Sequence, residues 1–165
     1  MTAKRAVLKT ASGRSMADSP LVAGIPMAVA NIATPNRFEL EWLTGSRVRT
    51  PAEAGAAAAA LQQRGPDIVL VTSLELATDR VAVVAAGPDA VWAVETPRLP
   101  IEATGCGDAV AALFVGWLLK GKPLPEALRL TVAAIYGVIE ATMRSADGEL
   151  ALVAAWRRDL EPLLP

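Results

Sequence analysis

Histidine is absent from the 165 residues, and that absence removes a large block of chemistry. Ser-His-Asp hydrolysis, Cys-His nucleophiles and His-ligated zinc or haem all need an imidazole. Whatever reaction the chain supports must rest on carboxylates, hydroxyls, backbone amides, lysine and arginine. Cysteine occurs once, as Cys106, so no internal disulfide can form and the expected compartment is reducing. Neither sign of charge dominates: 16 Lys and Arg stand against 17 Asp and Glu, a net charge of -1. This balance favours neither nucleic acid nor an anionic membrane surface as partner and fits a small molecule better. No apolar run reaches the roughly 20 residues a bilayer requires. The longest, residues 109–119, reads as a buried helix. Residues 1–16 carry Lys4, Arg5, Lys9 and Arg14 but no apolar core of a secretory signal. The expected location is cytoplasmic.

What is present is a large apolar fraction, 53% of residues against 20% charged, which suits one domain with a sizeable core. Residues 1–20 show no periodicity and are expected to be poorly ordered, with a single α/β domain over 21–165. Thr34-Pro35-Asn36 reads as a turn feeding a short helix that ends at Gly45. Thr50-Pro51-Ala52-Glu53 opens an alanine-rich helix with a capping box and a proline at its first position, and Gly65-Pro66 stops it. Residues 68–71 are uniformly apolar, as in a parallel strand covered on both faces, with Thr72 and Ser73 at its carboxyl end. Two strands over 80–86 and 90–95 flank Gly87-Pro88-Asp89 as a hairpin. Helices are expected over 108–119, 125–143 and about 149–163. This order indicates an α/β layered fold with a mainly parallel sheet.

Three stretches could carry chemistry. Thr104-Gly105-Cys106-Gly107-Asp108 precedes the apolar helix. Its two glycines allow a tight turn that exposes consecutive N–H groups, and the helix directs its positive end to the same point, which makes an anion site. A carboxylate there competes with an anion unless it takes a proton from an incoming nucleophile while the amides hold the developing charge. Asp108 therefore suits phosphoryl transfer to a hydroxyl; the plainer reading is that it caps the helix. Val110 argues against a dinucleotide fingerprint, and the Gly-x-x-x-x-Gly-Lys match ending at Lys122 is followed by Pro123 and closes a helix, so it is chance. In the second stretch, Thr34 to Glu41, Asn36 and Glu39 are spaced as a capping box. That structural reading is the one the spacing favours; the functional one has Glu39 helping to hold magnesium through water and Thr34 and Asn36 facing phosphates. The third is Thr72-Ser73, at the strand edge where α/β proteins bind ligands.

Thr104 to Asp108 with the following Ala109-Val110-Ala111-Ala112-Leu113-Phe114 resembles the carboxyl-terminal motif of the ribokinase-like, or PfkB-type, small-molecule kinases. Within that group the stretch from Thr34 to Gly45 resembles the pyridoxal kinases, as do Val69-Leu70-Val71-Thr72-Ser73 and the block from Glu149 to Ala155, over roughly residues 21–160. The resemblance implies a ribokinase-like fold, ATP and Mg2+, and phosphorylation of the 5′-hydroxyl of pyridoxal. It places the general base on Asp108, the phosphate-binding anion hole on Gly105, Cys106 and Gly107, and magnesium and phosphate contacts on Glu39 and Asn36. Nucleotide contacts fall on Thr34 and Thr72, with Thr96 in a further segment near the nucleotide. Cys106 stands where pyridoxal kinases commonly have Thr, an exchange that keeps the backbone N–H. The resemblance also implies that an amino-terminal half, with the pyridoxal pocket and lid, is missing, and that full-length members are homodimers. Other ribokinase-like kinases, acting on a sugar, nucleoside or hydroxymethylpyrimidine, are the alternative, as is a non-catalytic nucleotide-binding remnant.

Overall fold

A computed structural model describes residues 7–8, 30–77, 79–101 and 105–144. In chain order the elements are β1 (Val7–Leu8), β2 (Ile32–Ala33), α1 (Arg37–Thr44), α2 (Pro51–Gln62), β3 (Ile68–Ala77), β4 (Arg80–Ala86), β5 (Val91–Pro97), α3 (Cys106–Leu119) and α4 (Leu124–Arg144). The strands form one sheet in the order β1-β2-β3-β4-β5. Of residues 1–20 only Val7–Leu8 are described, and they pair in parallel with β2. The helix expected over 149–163 lies outside the described residues.

The expected layered α/β architecture is present, but the sheet is mixed and not mainly parallel. β1, β2 and β3 run parallel, whereas β3 with β4 and β4 with β5 are antiparallel. The cause is the hairpin: a tight turn can join only antiparallel strands, and this hairpin extends the sheet. Its second strand runs on to Pro97, so Thr96 is a strand residue.

Each face of the sheet buries its own helix pair. On one side Leu40 of α1 and Ala54, Ala57, Ala58 and Leu61 of α2 pack with Val69, Val71 and Leu74 of β3 and with Val84 of β4. On the other, Val110, Phe114 and Trp117 of α3 and Leu128, Val132 and Val138 of α4 pack with Leu70, Val83 and Ala85. Neighbours along β3 and β4 thus point to opposite layers, which explains the continuous apolar runs. β5 alternates instead, with Trp92 and Val94 on the α3–α4 layer and Val91, Ala93 and Glu95 exposed, as suits an edge strand with one covered face.

β3 is longer than the apolar run alone suggests, so Thr72 and Ser73 lie inside it. Between the pairs Val71–Val84 and Leu74–Ala82, three steps along β3 match two along β4. This bulge resets which side chains face which layer.

The amino ends of α1 and α2 carry the expected capping boxes. Asn36 Oδ1 accepts from the Glu39 N–H at 2.9 Å and Glu39 Oε2 accepts from the Asn36 N–H at 2.8 Å. In α2, Thr50 Oγ1 accepts from Glu53 N–H while Glu53 Oε2 accepts from Thr50 N–H. Gly45 ends α1 with a left-handed φ of 69°, a conformation that glycine adopts without steric penalty. Helix α2 stops at Gln62, two residues before the expected end, and the chain turns through Gly65.

The N–H groups of Arg49 and Thr50 hold the Glu53 carboxyl below the usual carboxylate range. A carboxyl lowered in the folded state contributes stability above its unfolded value, and that contribution is lost as pH falls through the folded value. The melting temperature of Glu53→Gln should therefore lie below wild type at neutral pH, with the gap closing as the carboxyl is protonated. Thermal melts across that acid range check this; a gap that stays constant with pH would assign the effect to something other than the charged cap.

Candidate nucleotide site

Helix α3 opens without a side-chain cap. Its N-cap is Gly105, at φ 89° and ψ −4°, a left-handed turn that costs other residues about 1–2 kcal/mol. The Gly105 carbonyl accepts from Ala109 N–H at 3.1 Å, so the N–H groups of the first turn have no carbonyl below them in the helix. They converge at the positive end of the helix, as an anion site needs. The helix begins at Cys106, two residues earlier than expected, because the glycine turn itself leads into it. Asp108 consequently stands third in the helix and exposed, not at its cap. Thr104 lies outside the described residues.

The orientation of this turn comes from the body of the helix. Val110, Phe114 and Trp117 are buried on the face turned to the sheet, and their four- and three-residue spacing makes one stripe. With that stripe anchored, Cys106 and Gly107 border a cavity of about 260 Å³. Thr72, Ser73 and Thr96 line the sheet side, residues 97–99 and Ile101 form another wall, and α4 closes it with Val132, Ile135, Tyr136 and Ile139. The bulge matters here: Leu70 faces the α3–α4 layer and Val71 the opposite one, yet Thr72 and Ser73 both reach the cavity. Sequence alternation alone assigns these neighbours to opposite faces, and it gives no sign of the bulge.

Four of the expected site residues, Thr72, Thr96, Cys106 and Gly107, therefore meet in one cavity, with Gly105 and Asp108 adjoining them in the same turn. Thr34, Asn36 and Glu39 do not line it. Thr34 and Asn36 sit on the turn after β2 and Glu39 in the first turn of α1, and this segment is tied to the site by a hydrogen bond from Thr72 N–H to the Pro35 carbonyl at 3.0 Å. Thr34 and Glu39 are each only 3% exposed. Among the described residues no group of three or more Cys, Asp or Glu side chains gathers to hold a metal ion. Magnesium commonly keeps several waters and takes only one or two carboxylates together with substrate phosphates. Glu39, with one oxygen committed to the Asn36 N–H, fits such a water-mediated role and does not fit a protein cage.

Cys106 is half-buried, and burial pushes its thiol pKa up, partly opposed by a backbone hydrogen bond. The lining that sequence reasoning missed is α4: Tyr136 and its aliphatic neighbours appear in the sequence only as part of an amphipathic helix. Glu75 and Arg98 also border the cavity and pair with each other at 3.1 Å. Among the described residues no helix is long and apolar enough to cross a membrane.

Similar proteins are found among the small-molecule kinases. The pyridoxal kinase PdxY of Rubrobacter xylanophilus is 48% identical over 130 residues, which are 76% of this chain and 45% of that protein. A pyridoxal kinase from Leishmania donovani solved in complex with ADP superposes with a TM-score of 0.71 at 26% identity, over 80% of this chain and 48% of that one. A putative phosphomethylpyrimidine kinase from Bacteroides thetaiotaomicron gives a TM-score of 0.74 at 26% identity, over 84% and 50%. The chain spans about half the length of the curated relatives it matches. The pattern of the pfkB family carbohydrate kinases matches residues 7–141, beginning well before residue 21, where the resemblance was expected to start. With a ribokinase-like sheet, a glycine turn opening α3 and this match over most of its length, the chain belongs to the pfkB family of carbohydrate kinases.

Proposed function

We propose that the chain binds ATP with magnesium at this cavity and supplies the nucleotide half of a kinase that transfers the γ-phosphoryl group to the 5′-hydroxyl of pyridoxal in the cytoplasm, with little transfer by these 165 residues alone. The observation that carries the reading is the meeting of Thr72, Thr96, Cys106 and Gly107 beside the uncapped end of α3. Pyridoxal is favoured as acceptor because the curated relatives that the chain matches at up to 48% identity are named pyridoxal kinases. A hydroxymethylpyrimidine acceptor is the second reading, since a putative phosphomethylpyrimidine kinase superposes as well as the pyridoxal kinases do.

The N–H groups of Gly105, Cys106 and Gly107 hold phosphate oxygens, and the helix end adds its positive field. Thr72 and Thr96 offer hydroxyls to the nucleotide. Asn36 serves the phosphate side, while the buried Thr34 acts by fixing the turn that carries it. Asp108 accepts the proton of the acceptor hydroxyl as its oxygen bonds to the γ-phosphorus, and the bond to the bridging oxygen of the leaving ADP breaks. Glu39 would hold magnesium through water, and the bound ion would supply neutralisation of charge on the phosphate chain.

Calorimetric titration with Mg-ATP should give saturable heat at up to about 1 mM nucleotide, the top of the usual range for substrates; a folded chain that gives none would end the reading.

In an active form, completed by the pyridoxal-binding half, Asp108→Asn should slow formation of pyridoxal 5′-phosphate by about 10²- to 10⁴-fold while ATP affinity changes little. Turnover equal to wild type would leave Asp108 without a role as base.

Cys106 supplies an independent probe. Only the thiolate attacks alkylating reagents, and a thiol raised by burial has less of it at pH 8 than a free cysteine. Alkylation by iodoacetamide should therefore be slower than that of free cysteine, with its pH midpoint displaced upward, and Mg-ATP should slow it further. A rate that nucleotide leaves untouched would place the ligand away from α3.

A further inference from the structure

The cavity is not uniformly apolar. Among the described residues that line it, Glu75 and Arg98 are the only charged ones, and the sheet explains why they meet there. Glu75 of β3 pairs with Val81 of β4, and Val81 pairs with Thr96 of β5. All three line the cavity. One row across the sheet therefore carries a carboxylate, a valine and a hydroxyl, its polar ends two strand spacings, roughly 10 Å, apart. Arg98 lies beyond the end of β5, where its N–H donates to the Asp79 carbonyl at 2.7 Å. Its side chain reaches back to Glu75, with Nη1 at 3.1 Å from Oε1. Both side chains are about half exposed, and ion pairs of that kind add little to stability. What the pair does supply is a polar wall to a cavity that the first turn of α3 also borders.

We propose that Glu75, held in place by Arg98, receives the ribose hydroxyls of the nucleotide, so that the site selects nucleotides with an intact 2′,3′-diol. The inference rests on the nucleotide reading above and deepens it. A carboxylate repels phosphate oxygens, which leaves the phosphate chain to the amides of Cys106 and Gly107. A vicinal diol carries no charge, and each of its hydroxyls both donates and accepts. An ion pair matches both functions at once. Its contact uses Oε1 of Glu75 and Nη1 of Arg98, so Oε2 can accept from a ribose hydroxyl while the other guanidinium N–H groups donate to a hydroxyl oxygen.

The experiment is calorimetric titration of the 165-residue chain with the magnesium complexes of ATP, 2′,3′-dideoxy-ATP and inorganic tripolyphosphate, repeated on Glu75→Leu, Glu75→Gln and Arg98→Leu. Wild type should bind ATP about tenfold or more tightly than the dideoxy nucleotide, the factor that one hydrogen bond to a charged group carries. Glu75→Leu should bring the two nucleotides within about twofold of each other by weakening ATP alone. Glu75→Gln, which keeps an acceptor but loses the charge, should fall between, and Arg98→Leu should also narrow the gap. Binding of tripolyphosphate by each variant shows in the same series that it is folded. Equal affinity of wild type for ATP and the dideoxy nucleotide would overturn the inference and leave the nucleotide reading in place. A gap kept in full by Glu75→Leu would overturn the role of Glu75, and one kept in full by Arg98→Leu the role of Arg98 in holding it. A wild-type chain that binds none of the three removes the nucleotide reading together with this inference.

Discussion

A strand buried on both faces has to find partners for its backbone on both edges, because an unpaired N–H or carbonyl in the interior costs as much as a lost hydrogen bond. β3 is that strand. β4 serves one edge and β2 the other, but β2 is only two residues long. Where it runs out, the Pro35 carbonyl takes the Thr72 N–H. A proline has no N–H to give, yet its carbonyl is as good an acceptor as any, so a residue that ends strands here continues the pairing by one bond. That bond holds the turn bearing Asn36 and Glu39 against the strand bearing Thr72, and two segments far apart in sequence become neighbours.

The opposite side of the site depends on burial and not on hydrogen bonding. Helix α3 is strongly apolar, and the side chains it buries fix its rotation and its depth against the sheet. Its first turn has no side-chain cap, so the amides there are directed by the packing of Phe114 and Trp117 further along. A substitution at either position would act on the site without touching a ligand, by tilting the helix end away from the cavity.

Much of this was legible in the sequence, and the reasons differ from one element to the next. Capping boxes, the proline opening α2 and Gly45 are local rules, each contained within a few residues, and the structure follows them. The two-faced apolar run of β3 and the hairpin also declare themselves locally. The glycine turn before α3 could be read as an anion site from composition and position, although the structure moves Asp108 inside the helix. What the sequence did not disclose is everything that depends on two strands being compared. Mixed polarity of the sheet follows from where the hairpin docks, and the bulge from unequal counting between β3 and β4. The role of Tyr136 in lining the cavity likewise depends on how α4 is rotated against β4 and β5, which an amphipathic pattern of twenty-one residues fixes only to a face.

The bulge in β3 works as a phase shifter. Before it, Leu70 and Val71 are sorted to the two apolar layers, and after it Leu74 returns to the α1–α2 layer while Glu75 faces the cavity. The extra residue lets the strand place two consecutive hydroxyls on one side without putting either the apolar half or the charged end out of step. Removing a single residue at Thr72 or Ser73 would therefore erase the bulge and leave the far side in step: two residues would match two between Val71 and Leu74, Leu74 would stay in the α1–α2 layer, Glu75 would stay toward the cavity, and only one of the two hydroxyls would be lost. The extra residue thus serves the cavity side alone, and the apolar layers before and after it would close up in register without it.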